Sequence, residues 1–272
     1  MNGNKILGPF GPVIGVLVVL FVLAPLVIVV LISFTAANYI SFPWVEGWSF
    51  RWFADLPSQG DFLVAFVNSV VVAGLAAIIA VLIGGPASIA LVRYEFPGKS
   101  LFTLLGTAPI FIPVLLSGLA LLMMISTLGQ APGPVPMVLG FAVVTLPFVL
   151  RTSIATLQDF NLDQEYAAEN LGASKLTAFW KVTLPQIRAG IVSAAILAFI
   201  VAFDGVAFAI FFVTPDFDVL PVKLFLYSQT NFDPLAASLS TAMIAFSLVL
   251  IVIIESTFGL EKLFGGGRSS AN

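Results

Sequence analysis

Of the 272 residues, 60% are hydrophobic and 9% charged, with a net charge of −3 and a mean hydropathy of +1.10, whereas soluble domains run at about 45–50% apolar and about 25% charged. Eleven basic and fourteen acidic side chains cannot coat a water-soluble globule of this size, and so few cations exclude the clustered Lys and Arg that nucleic-acid phosphates require. The absence of Cys and His removes disulfides, thiol nucleophiles, thiolate or imidazole metal sites and any histidine base.

About 20 apolar residues cross roughly 30 Å of hydrocarbon, so spans are sought in the runs between charges. The uncharged run between Lys5 and Glu46 holds a first span over residues 13–34. Its apolar stretch is too long for a signal-peptide core and five more follow, so it is expected to be a span and not a cleaved leader. In the outer loop behind it, Trp44, Trp48 and Trp52 stand four residues apart after Pro43. That spacing predicts one aromatic helix face at headgroup level. A second span covers residues 62–92 and a third 101–128. The turn-forming run Gly129-Gln130-Ala131-Pro132-Gly133-Pro134 separates the third from a fourth over 135–151. Residues 152–188 form the longest polar segment; a fifth span over 189–213 is interrupted only by Asp204, and a sixth covers 234–256. No alternating ten-residue barrel strands are visible, so the expectation is an all-α polytopic membrane protein, a single transmembrane domain over 1–272 with six helices.

Orientation follows from Lys and Arg. Lys5, Arg93, Lys99, Arg151, Lys175, Lys181, Arg188, Lys262 and Arg268 fall on one side, and only Arg51 and Lys223 on the other. Both termini and the 152–188 segment are therefore expected in the cytoplasm.

Catalytic constellations are missing. Gly98-Lys99-Ser100 looks like the tail of a phosphate-binding loop, but the glycine required five residues before Gly98 is Arg93. No cofactor or metal is expected, and no nucleic acid. In the polar segment, Asp163 and Glu165 favour a helix N-terminus, Gly172 a left-handed stop, and Ser174 the cap of a second helix that Pro185 ends. Ala167 and Ala168 leave a low surface that another protein can approach. Leu171, Phe179 and Trp180 add apolar surface beside it.

The spacing of Ala167, Ala168, Gly172, Val182, Leu184 and Pro185 resembles the EAA loop of the inner-membrane permease subunits of bacterial binding-protein-dependent ABC importers. Tyr166 stands where the family has glutamate, with Glu165 just before it. Ala90-Leu91-Val92-Arg93-Tyr94-Glu95-Phe96-Pro97-Gly98-Lys99, Pro109-Ile110-Phe111-Ile112-Pro113, Leu146-Pro147-Phe148-Val149-Leu150-Arg151, Phe203-Asp204 and Leu220-Pro221-Val222 are similar to the spermidine/putrescine-type branch, more closely its second permease subunit. The resemblance implies a type I ABC importer permease fold in the bacterial inner membrane. It also implies a sister permease subunit, two cytoplasmic ATP-binding subunits and a periplasmic substrate-binding protein as partners, besides membrane lipid. ATP hydrolysis would then belong to another chain, so the protein is a transport subunit and not an enzyme. Glu165, Tyr166, Ala167, Ala168, Glu169, Leu171, Gly172, Ala173, Val182, Leu184 and Pro185 would make the coupling contact with the ATPase.

Asp204 lies about fifteen residues into the fifth span, roughly two-thirds of the way out at about 1.5 Å per residue. A carboxylate at that depth is costly unless it faces a cavity or a partner. An unbroken helix would put it on one face with Phe208, Phe211 and Phe212, an arrangement suited to an organic cation. A hydrogen bond to a Ser or Thr of a neighbouring span or of the sister subunit would satisfy it equally. Polyamine-type relatives often carry a second acid directly after this aspartate, where this chain has Gly205. The expected solute is small and polar, cationic or amino-compound in character. The alternative is a stand-alone secondary transporter using Asp204, which calls for internal repeats and coupling-ion carboxylates.

Overall fold

The computed structural model describes residues 10–258, with side chains over 13–253. Lys5, Lys262 and Arg268, on which part of the expected orientation rests, lie outside the described residues. Backbone polar groups in lipid must be satisfied within the protein, which leaves helices as the natural solution. The chain forms α1 (Phe10–Ile32), α2 (Pro43–Glu46), α3 (Arg51–Asp55), α4 (Gly60–Arg93), α5 (Lys99–Thr107), α6 (Val114–Thr127) and α7 (Pro134–Gln158). These are followed by α8 (Asp163–Asn170), α9 (Lys175–Ala178), α10 (Leu184–Phe203), α11 (Val206–Ala209), α12 (Leu220–Thr230) and α13 (Leu235–Phe258). Among the described residues, extended pairing is limited to two isolated bridges, Thr35 with Trp48 and Thr214 with Phe217. Among the described residues, five helices are long and apolar enough to cross a membrane, and six when one bent pair counts as a span.

The chain divides into two compact units. The first takes the residues up to 63 together with 224–246. No residue of the apolar window of its α1 is buried, and residues 13–28 are exposed. Behind α1 the aromatic loop departs from the expected single helix face. The chain turns at Gly47 (φ +98°), where the Ala36 N–H donates to the Gly47 carbonyl at 3.0 Å and the Ser49 N–H to the Phe34 carbonyl at 2.8 Å. Trp44 and Trp52 therefore sit on separate short helices. Trp52 turns its Nε1 to the Ala37 carbonyl (3.3 Å), while Trp44 and Trp48 stay exposed.

The second unit takes residues 64–223 and the rest of α13. Where α4, α7 and α10 meet, its core is packed through small side chains, as suits helices in lipid, where close backbone approach replaces the hydrophobic drive. Ala77 and Ala80 of α4, Val149 of α7, and Ala194 and Ala198 of α10 form one buried cluster. At Gly190 of α10 a Cβ would collide with the Thr156 side chain of α7, so that contact exists only because residue 190 has none.

Three expected spans have different limits. The third is broken: α5 with its 3₁₀ extension (Ala108–Phe111) meets α6 at 105°. Pro109 and Pro113 flank the break, and a proline both lacks an N–H and clashes with the preceding turn. The Pro113 carbonyl instead starts α6, accepting from Leu116 (2.8 Å) and Ser117 (3.1 Å). The fourth span continues past Arg151 to Gln158. The fifth stops at Phe203, ten residues early. There the Val206 N–H donates to the Asp204 carbonyl at 2.8 Å with Gly205 at φ −74°, ψ 56°, an inverse γ-turn. Pro185 does not end the second hairpin helix, because it occupies the first turn of α10, where its missing N–H costs nothing.

Candidate functional site

Between α7 and α10 the polar segment folds into a helical hairpin. Asn161 Oδ1 accepts from the Asp163 N–H (2.9 Å) and opens α8, with Asp163 and Glu165 in its positive first turn. Gly172 closes it at φ +94°. The Gly172 N–H donates to Glu169 (2.9 Å) and the Ala173 N–H to Ala168 (3.0 Å), the paired bonds of a Schellman stop. Ser174 Oγ then accepts from the Thr177 N–H at 3.2 Å and caps α9. One π-helical turn (Phe179–Thr183) joins α9 to α10.

Glu165 turns inward and is 6% exposed, while its neighbour Tyr166 is 58% exposed. The carboxylate receives both terminal nitrogens of Arg93, the last residue of α4: Nη1 to Oε1 at 2.9 Å and Nη2 to Oε2 at 2.6 Å. The Thr183 hydroxyl, fully buried, donates to Oε2 and accepts from Arg93 Nη2 at 3.3 Å. The guanidinium lies 5.7 Å from the centre of the Phe179 ring. A bidentate guanidinium–carboxylate pair is strong and directional, and here it ties the end of α4 to both arms of the hairpin. Burial pushes the Glu165 carboxyl up, but the Arg93 and Thr183 hydrogen bonds and the Arg93 charge outweigh it, holding the group below its ordinary value of 4.5.

A pH dependence follows. A depressed carboxyl contributes stability that is fully present above the unfolded value near 4.5 and lost as pH falls through the lower folded value. Thermal unfolding in detergent between pH 7 and pH 3 is expected to show this loss at the acid end and to flatten in Glu165→Gln. Parallel acid sensitivity in both proteins would remove Glu165 as its source.

Other side chains of the hairpin face solvent. Tyr166, Leu171, Leu176 and Trp180 are all exposed, Leu171 by 90%. Ala167 and Pro185 are exposed as well; Ala168, Glu169, Ala173, Val182 and Leu184 are half-buried. Large apolar side chains exposed on an otherwise polar element mark an interaction surface.

In the membrane portion, Asp204 is exposed at the end of α10, and among the described residues its carboxylate has no hydrogen-bond or ionic partner. Among the described residues, no Ser or Thr of a neighbouring span bonds to it. The turn at Gly205 also removes the helical face expected to carry Asp204 with Phe208, Phe211 and Phe212. Phe208 is buried, its ring 4.7 Å from that of Phe141 and 5.0 Å from that of Phe212, and Phe211 is half-buried. A Cβ at Gly205 would strike the Phe141 ring, so the second acid of polyamine-type relatives has no room here. Phe208 also lines a cavity of about 500 Å³ between the α5–α6 bend and α7. Its lining, which includes Ile112, Leu121, Met124 and Val143, carries no charge.

Arg93 and Thr183 are the residues that sequence reasoning missed. The sequence marks Arg93 as a topological charge and as part of the resemblance at the end of the second span, and nothing local links it to a carboxylate 72 positions later.

Apolar helices of crossing length, with a hairpin that shows apolar side chains to water, define a multi-pass helical membrane protein built to engage another protein. The chain belongs to the family of binding-protein-dependent transport system inner membrane components, whose profile matches residues 80–265. It is 30% identical over 231 residues to the spermidine/putrescine transport system permease protein PotC of Haemophilus influenzae, covering 85% of this chain and 89% of that one. It is 29% identical over 231 residues to the putrescine transport system permease protein PotI of Escherichia coli, covering 82% of each. It is also 28% identical over 233 residues to the sulfate transport system permease protein CysT of Salmonella typhimurium, covering 80% of this chain and 82% of that one. The fold matches a bacterial alginate ABC transporter, solved with an alginate pentasaccharide-bound periplasmic protein, at a TM-score of 0.66 with 15% identity over 94% of each chain. An amino acid ABC transporter matches at 0.60 with 18% identity, over 76% of this chain and 97% of that one. The protein is accordingly a permease subunit of an ABC importer, a multi-pass inner-membrane transport component and not an enzyme, and the stand-alone transporter reading is set aside. Membership implies an ATPase and a substrate-binding protein as partners.

Proposed function

We propose that this chain is one of two sister permease subunits in an importer for a small cationic or amino-compound solute, polyamine-like in chemistry, driven by two cytoplasmic ATP-binding subunits and fed by a periplasmic binding protein. The observation that carries the coupling half of this reading is the hairpin, whose exposed Tyr166, Leu171, Leu176 and Trp180 offer an ATPase an apolar surface on a rigidly capped support. Glu165, Ala167, Ala168, Glu169, Gly172, Ala173, Val182, Leu184 and Pro185 shape and hold that support. Nucleotide-driven movement of the ATPase would then enter the membrane helices by contact. The excess of Lys and Arg on the hairpin side supports cytoplasmic termini and a cytoplasmic hairpin. The solute class rests on the names of the PotC and PotI relatives, set against a sulfate permease of nearly equal identity, and on Asp204 as a deep carboxylate without a partner among the described residues.

The experiment is co-purification with the ATPase, followed by ATP hydrolysis and uptake in liposomes with the cognate binding protein and spermidine, putrescine or sulfate. Uptake of a polyamine is the expected result; sulfate uptake would overturn the solute class, and transport without the ATPase would overturn the importer role. In the same system Asp204→Asn is expected to lower polyamine uptake roughly tenfold or more, the scale of a lost charge-assisted hydrogen bond, while ATPase binding stays intact. Unchanged uptake would take Asp204, and with it Phe208 and Phe211, out of the pathway.

A further inference from the structure

The hairpin is continuous in the chain with α7 and α10, so a displacement reaches those two helices through the backbone. The helix α4 has no such link. It ends at Arg93, and the chain departs from there into α5. Among the described residues, the polar contacts that join α4 to the hairpin form one cluster: the Arg93 fork on Glu165 of α8, the Thr183 hydroxyl between them, and the Phe179 ring beside the guanidinium. The pair is shielded from water, with the Arg93 and Glu165 side chains 16% and 8% exposed. A bidentate fork fixes direction as well as distance, which a lysine ammonium, a point charge on a flexible stem, does not.

We infer that Arg93 is a positioning residue that couples the second span to the hairpin, so that movement imposed on the hairpin reaches α4 through the Arg93–Glu165 pair and reaches α7 and α10 without it. The inference rests on the proposed docking of the hairpin on an ATPase. Its distinctive consequence is selective. Loss of the fork leaves α4 linked to α7 and α10 by the packing around Ala77, Ala80 and Val149, so its response weakens while that of α10 persists, an outcome that general destabilisation would not give. The π-helical turn contributes by presenting Phe179 and Thr183 to the same guanidinium, so both arms of the hairpin move with α4.

The chain has no cysteine, so single labels can be placed in the native background. A spin label at Leu82→Cys on α4 or at Leu197→Cys on α10, both exposed positions, is followed in the permease–ATPase complex before and after trapping with ATP and vanadate. Both labels are expected to change mobility in the otherwise native chain. With Arg93→Gln the response at Leu82→Cys is expected to fall about fivefold, within the range by which mutations along a coupling network act, while the response at Leu197→Cys persists. Arg93→Lys should fall between the two. An undiminished response at Leu82→Cys in Arg93→Gln overturns the inference, as does an equal loss at both labels. If Arg93→Gln gives no folded complex, Thr183→Val, which keeps both charges, is expected to weaken the response at Leu82→Cys alone; equal responses at both labels would again overturn the inference. An ATPase that does not bind the otherwise native chain refutes the docking reading itself. An ATPase that binds while neither label responds leaves docking standing and overturns the coupling.

Discussion

Leu171→Glu is expected to weaken binding of the permease to its ATPase by roughly 10- to 100-fold, the loss that follows when one leucine is no longer buried at an interface. The folded chain should be unaffected. Leu171 is 90% exposed, its backbone N–H is held by the Ala167 carbonyl at 3.1 Å, and its side chain supports nothing in the chain itself. This makes it a sharper probe than Gly172→Val. That substitution forces a β-branched residue into the left-handed region at φ +94°, which costs about 1–2 kcal/mol and disturbs the turn between the two hairpin helices. Gly172→Val should therefore lower both hairpin order and ATPase affinity, and Leu171→Glu the affinity alone. The measurement is an equilibrium binding titration in detergent with a thermal melt of each variant. Native affinity for Leu171→Glu would show that the exposed apolar side of the hairpin is not where the ATPase docks.

The contrast between these two positions also shows what a sequence makes visible. Gly172 and Ser174 were legible as a helix stop and a helix start because both signals are local: each acts on backbone groups within a few residues. The family was legible for a related reason, since its fixed spacing from Ala167 to Pro185 follows one continuous hairpin. Pro185 was read as an end and is a beginning, because a proline in a first turn and a proline after a last turn look alike without the register of the neighbouring helix. The Trp44, Trp48 and Trp52 spacing matched a helix period, but Gly47 interrupts it and the Thr35–Trp48 bridge wins over periodicity. Hydropathy counted residues 101–128 and 189–213 as single crossings because it sums over a window and cannot register a 105° bend or a γ-turn at Gly205. Arg93 and Glu165 were illegible as a pair because no periodicity spans 72 residues. A charge at the end of a span reads as topology whether or not a carboxylate awaits it.

Separation along the chain also hides a close helix contact, between Gly190 and Thr156. Gly190→Ala is expected to destabilise the permease by about 1–3 kcal/mol, the usual cost of overpacking, although alanine is among the best helix formers and the position lies inside a helix. The reason is across the interface. The three atoms nearest a Cβ at 190 all belong to Thr156 of α7, and Thr156 is held in place by its hydroxyl donating to the Thr152 carbonyl at 2.9 Å. To make room, α10 would have to move away from α7 along the interface that also carries Val149, Ala194 and Ala198. If that clash is the cause, Thr156→Gly removes all three of those atoms, and the Gly190→Ala/Thr156→Gly pair should recover most of the loss that Gly190→Ala adds. A glycine inside α7 has its own cost of about 1 kcal/mol, so the recovery is read as the coupling in a double-mutant cycle and not as a return to native stability. Thermal unfolding of the four proteins in one detergent gives that coupling. Additive losses would mean that Gly190 is small for some reason other than the approach of α7, and the close packing of α7 on α10 would then lose its principal support.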